Sequence, residues 1–450
     1  MAKDISANQL KKFQEELDAK ANHNVAERAV TKNGILATSA DYRSEINMDP
    51  VFSIDLDTGK VANQKQSGRC WMFAALNTMR HDMKDKFGVA DDFELSQNYT
   101  FFWDKLEKSN YFYENVIKTA ALPTSDRKVA WLMQTPQQDG GQWDMFMAII
   151  DKYGVVPKSV MPETFNSSAS REFNSTLNLK LRKDAVELRE LVNANASEDE
   201  LEARKQKMLS EVYRMCAYSF GEPPAKFDFE YRDKDKNYHL DRDLTPQEFF
   251  KKYVGWNTED YVSVINAPTE DKPYNHMYTI EMLGNVIGGR EVRHLNVDMD
   301  TFRKIAIKQL EAGESVWFGS DVGQSSDRKK GIMDTELYHN DELFDVDFSM
   351  SKAERLDYCE SLMTHAMVLT GVNLVDGKPD KWKVENSWGD QVGTDGFFVM
   401  SDSWMEEYCY QVVVNKKFLP KELQEILKEE PKVLARWDPM GSLAKKAAYL

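Results

Sequence analysis

The spacing of apolar positions changes period about two-thirds of the way along the chain. Over the first part they recur every three or four residues, the repeat of one helix face. Leu10, Phe13 and Leu17 behind a capping Ser6 predict a helix over residues 6–26. A second is expected to begin near Cys70 and to run through Phe73, Leu76 and Met79. Residues 91–97 read as a turn and cap before a helix carrying Tyr99, Phe101, Phe102 and Trp103. The apolar run 145–153 stops at Gly154-Val155-Val156-Pro157. Leu181, Ala185, Leu188 and Val192 then form a stripe at helical spacing, and Ser197-Glu198-Asp199-Glu200 has capping-box form. With the charged, aromatic stretch that follows to about Asp260, these helices read as a solvated insertion.

In the final third the period shortens to two. Residues 315–319, 366–372, 381–386, 396–400 and 409–414 all suit strands. The expected class is α+β, with a helical lobe and a β-rich lobe meeting at a cleft.

Composition narrows the setting. The chain has 450 residues, 42% hydrophobic and 29% charged, enough for a large core and more than one compact unit. No stretch approaches the 18 or so apolar residues of a membrane span. The first residues lack the apolar run of a secretory signal. Cys70, Cys216, Cys359 and Cys409 are widely spaced, with no Cys-x-x-Cys pair, which suits a reducing cytoplasm. A net charge of -16 disfavours nucleic acid as a partner.

The candidate chemistry centres on Cys70. Its segment, Gln64-Lys65-Gln66-Ser67-Gly68-Arg69-Cys70-Trp71, turns through a glycine into the helix and places a thiol at its first turn. There unpaired N–H groups and the helix dipole favour thiolate. His365 opens a strand and can serve as base, Asn386 can orient its ring, and Trp388 can roof their contact. Gln64 can offer an amide N–H to a developing oxyanion, beside the Cys70 backbone N–H. Gly140 and Gly141 permit a close backbone approach along a substrate cleft. Taken alone, a cysteine is usually a small buried hydrophobe and a histidine usually structural. The combination points to a cysteine peptidase. Neither a His-x-x-x-His pair nor a Cys-x-x-Cys run occurs, so no metal or other cofactor is expected. A non-enzymatic assembly or nucleic-acid-binding protein would leave the set without a reason. A papain-like transglutaminase would place an aspartate where Asn386 stands.

The papain-type signature has a Cys-Trp followed by His and Asn about 130–150 residues later. Here His365 lies 295 residues beyond Cys70, which implies an insertion. The chain resembles the bleomycin hydrolase and bacterial aminopeptidase C family of papain-like cysteine peptidases. The residues that carry the resemblance are Gln64, Gly68-Arg69-Cys70-Trp71-Met72-Phe73, His365-Ala366-Met367, Glu385-Asn386-Ser387-Trp388-Gly389 and Trp437-Asp438-Pro439-Met440-Gly441. It implies a two-lobe papain-like core with a large helical insertion, divided as follows. Residues 1–164 would form an N-terminal arm and helical lobe, and 165–260 an assembly insertion. Residues 261–430 would form the β-rich lobe, and 431–450 an arm lying in the cleft. It further implies a cytoplasmic homohexamer whose inward-facing sites remove N-terminal residues from peptides. The arm's terminal carboxylate would pair with the substrate α-amino group. Lys446-Ala447-Ala448-Tyr449-Leu450 extends past the usual family terminus, so endopeptidase activity stands as the alternative.

Overall fold

The computed structural model describes residues 4–441. Six consecutive apolar residues, Trp71 to Leu76, leave the start of helix Cys70–Phe87 without a polar face, so it is buried all round. It ends at Gly88, whose φ of 61° supplies the left-handed cap. Ser96 caps helix Gln97–Lys118 by accepting from the Tyr99 N–H at 3.0 Å. Helix Trp143–Tyr153 completes this layer.

Helices Arg171–Asn193 and Glu198–Phe220 pack on Gln97–Lys118 rather than standing apart. Leu177, Leu181, Leu188, Met208 and Val212 join the core that holds Trp71 and Phe101. The stretch expected to be helical to residue 260 also contains a hairpin, Phe227–Arg232 with Tyr238–Leu244. Its cause is the alternation of Phe227, Phe229 and Tyr231; Phe229 sets its ring 5.0 Å from Phe249 and 4.9 Å from Tyr253. The N-terminal helix spans only Ala7–Ala19, because Asn22 takes a left-handed φ of 61° before helix His23–Asn33. Leu10, Phe13 and Leu17 are exposed there.

The β-rich part is one twelve-stranded sheet among the described residues. Its centre runs Tyr261–Ile265, Cys409–Asn415, Val316–Ser320, His365–Val375, Lys378–Glu385 and Phe397–Ser401, all antiparallel neighbours. Both faces are buried, and the period of two sorts their side chains. Trp317, Ala366 and Val368 face the helical core, while Phe318, Met367 and Leu369 face a second core with Trp382 and Trp404.

Helix Cys70–Phe87 lies directly on strand His365–Val375. A buried charge cluster joins it to the next strand as well. Arg80 donates to Glu385 at 2.8 Å, and His81 Nε2 sits 2.9 Å from the other carboxylate oxygen. His81 Nδ1 meets Ser315 at 2.9 Å. Burial alone would raise the Glu385 carboxyl, but His81 and Arg80 outweigh it and hold it below its usual range. Arg80→Met should therefore cost about 3–5 kcal/mol in urea unfolding, since it strands the buried Glu385 charge. Lys11→Met, which breaks an exposed pair with Glu15, should stay within about 0.5 kcal/mol. Equal small effects would show that the buried cluster does not hold the junction.

Candidate active site

The turn that delivers Cys70 is fixed by hydrogen bonds at every residue. Gln64 Nε2 donates to Ser67 O at 2.7 Å, and Ser67 Oγ donates back to Gln64 O at 2.7 Å. The fully buried Arg69 donates to Ser67 Oγ at 2.9 Å and makes a two-pronged pair with Glu163 at 3.0 and 2.7 Å. Its guanidinium also lies 5.1 Å from the ring centres of Phe73 and Phe101. The residue before the thiol is thus clamped on both its charge and its faces.

Asp139 ties this turn to the rest of the helical part. It accepts from Gly68 N at 2.9 Å, Lys105 at 2.9 Å, Ser170 at 2.5 Å and Asn174 at 2.7 Å. Burial would raise this carboxyl, yet Lys105, Ser170 and the Gly68 N–H outweigh it and hold it far down. Its own carbonyl accepts from Trp71 Nε1 at 2.7 Å. Gly141 follows in close contact, since a Cβ there would lie 2.7 Å from the Trp71 ring. Lys108 donates to the Gly140 carbonyl at 2.7 Å. Gly140 and Gly141 border a small cavity whose other walls include Trp131, Met282, Arg436 and Gly441.

On the facing wall, His365 begins its strand opposite Ser320. Its Nε2 meets Asn386 Oδ1 at 2.9 Å, and the same oxygen accepts from Ser387 N at 2.8 Å. A backbone N–H can only donate, so it settles which end of the Asn386 amide is the oxygen. Nε2 is then the protonated nitrogen, and Nδ1 is left free to act as a base. Trp388 stacks on the imidazole with ring centres 4.9 Å apart. Gly389 has a φ of 78°, and a Cβ there would lie 2.4 Å from Asn63, so the tryptophan's turn requires glycine.

The two walls meet. The N–H of Ala366, next to His365, points at the Cys70 sulfur, as do those of Trp71 and Cys70 itself. Gln64 N donates to Ser387 O at 2.8 Å, and Ser387 Oγ donates to Gln64 Oε1 at 2.5 Å. Cys70, Gln64, His365, Asn386 and Trp388 therefore share one site, with Gly140 and Gly141 along its flank. Burial pushes the Cys70 thiol up to about 11 despite those three N–H groups. It pulls His365 down to about 4, against the Asn386 bond and helped by the charge of Arg328. Taken singly, each group is driven neutral. The helix start alone does not supply a thiolate, because desolvation costs more than the N–H groups return. A thiolate and an imidazolium can persist here only as a pair, each supplying the charge that burial denies the other.

Two contributors escape sequence reasoning. The Ser170–Asn174 pair and Arg328 leave only faint traces: two polar residues four apart, and one of several basic residues.

The Peptidase C1-like family model matches residues 4–441. The chain is 57% identical over 449 residues to aminopeptidase C of Lactobacillus helveticus, covering 99% of this chain and 100% of that one. It is 56% identical over 447 residues to aminopeptidase C of Lactobacillus delbrueckii subsp. lactis, covering 99% of each. The crystal structure of PepW from Lactobacillus rhamnosis HN001 superposes with a TM-score of 0.97 at 67% identity, covering 98% of this chain and 99% of that one. The match runs through all of the described residues, and the chain belongs to the Peptidase C1-like family of papain-like cysteine peptidases.

Proposed function

We propose that the chain is a cysteine aminopeptidase that uses Cys70, His365 and Asn386 to remove N-terminal residues from peptides through a thioester. The observation that carries the reading is the buried His365–Asn386 pair set against the sulfur of a helix-start cysteine. The near full-length identity to aminopeptidase C enzymes supports the same activity.

In this reading His365 Nδ1 takes the thiol proton as Cys70 attacks the scissile carbonyl carbon. Charge passes to the carbonyl oxygen, where the Cys70 N–H and the second Nε2 hydrogen of Gln64 receive it. The tetrahedral intermediate collapses as His365 returns the proton to the leaving nitrogen, giving thioester and amine. Water, deprotonated by the same imidazole, then releases the acid and restores the thiol. Asn386 keeps the ring in register, and Trp388 keeps water off that contact.

The cleft-arm reading draws support from how residues 432–441 are bolted down. Strand Lys432–Leu434 pairs in parallel with His276–Ile280, and Asp438 pairs with Lys272 at 2.9 Å. Arg436 lies 3.5 Å from the Trp131 ring centre, and Arg127 lies 3.6 Å from that of Trp437. Gln142, directly after Gly141, donates to Met440 O at 3.4 Å, so the arm is aimed along the flank of the site. The extension Lys446 to Leu450 lies outside the described residues. An arm in this position favours free N-termini by pairing its carboxylate with the substrate ammonium. Endopeptidase action remains the second reading, for an arm that leaves the cleft. The proposal extends to a cytoplasmic homohexamer, with insertion 165–260 as an assembly element. Exposed Leu10, Phe13 and Leu17 on the N-terminal helix are side chains that a neighbouring subunit would cover.

Removing the imidazole should leave burial opposed only by the three N–H groups, so the thiol of His365→Ala should stay protonated at neutral pH. Alkylation of Cys70 at pH 7 should then slow on the order of 100-fold, while the wild type reacts at much lower pH. Unchanged alkylation would remove His365 as the proton acceptor. Gln64→Ala should lower kcat on the order of 100-fold with the fold intact, and an unaltered kcat would take Gln64 out of the oxyanion site. Free peptides should be shortened stepwise and N-acetylated ones cut poorly; equal cleavage of both would reject the aminopeptidase reading. Light scattering should give a particle six times the 51.9 kDa chain, and a fully active monomer would refute the assembly.

A further inference from the structure

Arg328 is an exposed cation beside the site, without an anionic partner among the described residues. It lies in the turn of the hairpin Ser326–Asp327 with Ile332–Met333, whose second strand runs parallel to Phe397–Ser401 on the sheet edge. Gly331 closes the turn at a φ of 72°, where a Cβ would lie 2.5 Å from Gly393, so the platform is tightly packed. The guanidinium carbon sits 4.3 Å from the Trp388 ring centre. The neighbouring charges are otherwise engaged. Asp327 accepts from the N–H groups of Lys329 and Lys330 at 2.9 and 3.0 Å, and Lys330 pairs with Glu45. Among the described residues no carboxylate pairs with Arg328, in a chain of net charge -16.

The position has chemical meaning if the site works as proposed above, and the inference rests on that reading. His365 hands its proton to the leaving nitrogen, so the departing half of the substrate lies against the imidazole. Trp388 covers that imidazole at 4.9 Å, and Arg328 covers Trp388. The guanidinium is therefore no farther from the imidazole than those two lengths laid end to end. When the departing half is a single amino acid, its α-carboxylate is only two bonds from the protonated nitrogen. A guanidinium on an indole face has its N–H edge free, and that edge matches a carboxylate in geometry and charge.

We propose that Arg328 receives the free α-carboxylate of the departing residue, which makes dipeptides with an unblocked C-terminus a preferred substrate class. In a longer peptide or an amide the negative charge is remote or absent, and the contact is lost. Arg328 thus reads the far end of a short substrate, while the cleft arm reads its near end.

The test compares an alanyl dipeptide with its C-terminal amide in the wild type, Arg328→Gln and Arg328→Lys. The wild type should favour the free carboxylate, and Arg328→Gln should reduce the ratio of the two kcat/KM values about 3- to 10-fold, mainly through KM. Arg328→Lys should fall between them, because it keeps the charge and loses the fork. Raising the salt should shrink the wild-type preference, as expected of a solvent-exposed pair. A ratio unchanged in Arg328→Gln, with both substrates turned over, would overturn this inference alone. A wild type that turns over neither substrate would overturn the aminopeptidase reading and this inference with it.

Discussion

The structure depends on the contact between one helix and two strands. Helix Cys70–Phe87 begins with the thiol, strand His365–Val375 begins with the imidazole, and strand Lys378–Glu385 ends just before Asn386. The distances between these three side chains are set by how this helix seats on this sheet. Apolar packing supplies most of the adhesion, but it is tolerant of sliding. The buried Glu385–Arg80–His81 cluster is not, because a shift would leave charges unpaired in a dry interior. Glu385 and Asn386 are adjacent in the chain, so the residue that locks the helix also fixes the residue that orients the histidine.

A second set of buried polar contacts performs the same service for the turn before the thiol. Asp139 Oδ2 accepts from Gly68 N and Ser170, and its Oδ1 accepts from Lys105 and Asn174. Ser170 stands at the N-cap and Asn174 in the first turn of helix Arg171–Asn193, so that helix reaches the turn before Cys70. Through Asp139 these two residues help hold the turn that carries Cys70. Arg69 and Glu163 add a further clamp from the segment just before that helix.

Electrostatics at the site follow from this dryness. Burial drives the thiol and the imidazole apart in the direction that keeps both neutral. A charged state of these two groups would therefore be a joint one, in which proton transfer creates two charges that satisfy each other. The charge of Arg328 adds to burial in lowering His365. The same guanidinium lies 4.3 Å from the Trp388 ring centre.

Much of this was legible from residue order. The change of period from helical to alternating located the helices, the main strands and their separation into two lobes. The Cys70, His365 and Asn386 motifs carry local requirements, a glycine-containing turn, a strand start and a Trp-Gly turn, that are visible without coordinates. Where local pattern and burial diverge, sequence loses its grip. The N-terminal helix breaks at Asn22 because no core holds its apolar face, and residues 227–244 pair as a hairpin because aromatic rings from Phe249 and Tyr253 await one side. Partners far apart in the chain are also invisible: Arg80 and Glu385 are 305 positions apart, and Asp139 finds Asn174 across a helix boundary. Sequence alone singled out Cys70, His365 and Asn386 as the candidate chemistry, because their types and local turns are written within a few positions of one another. Only the tertiary structure decided what holds them in place, because buried charges choose partners by distance in space and not along the chain.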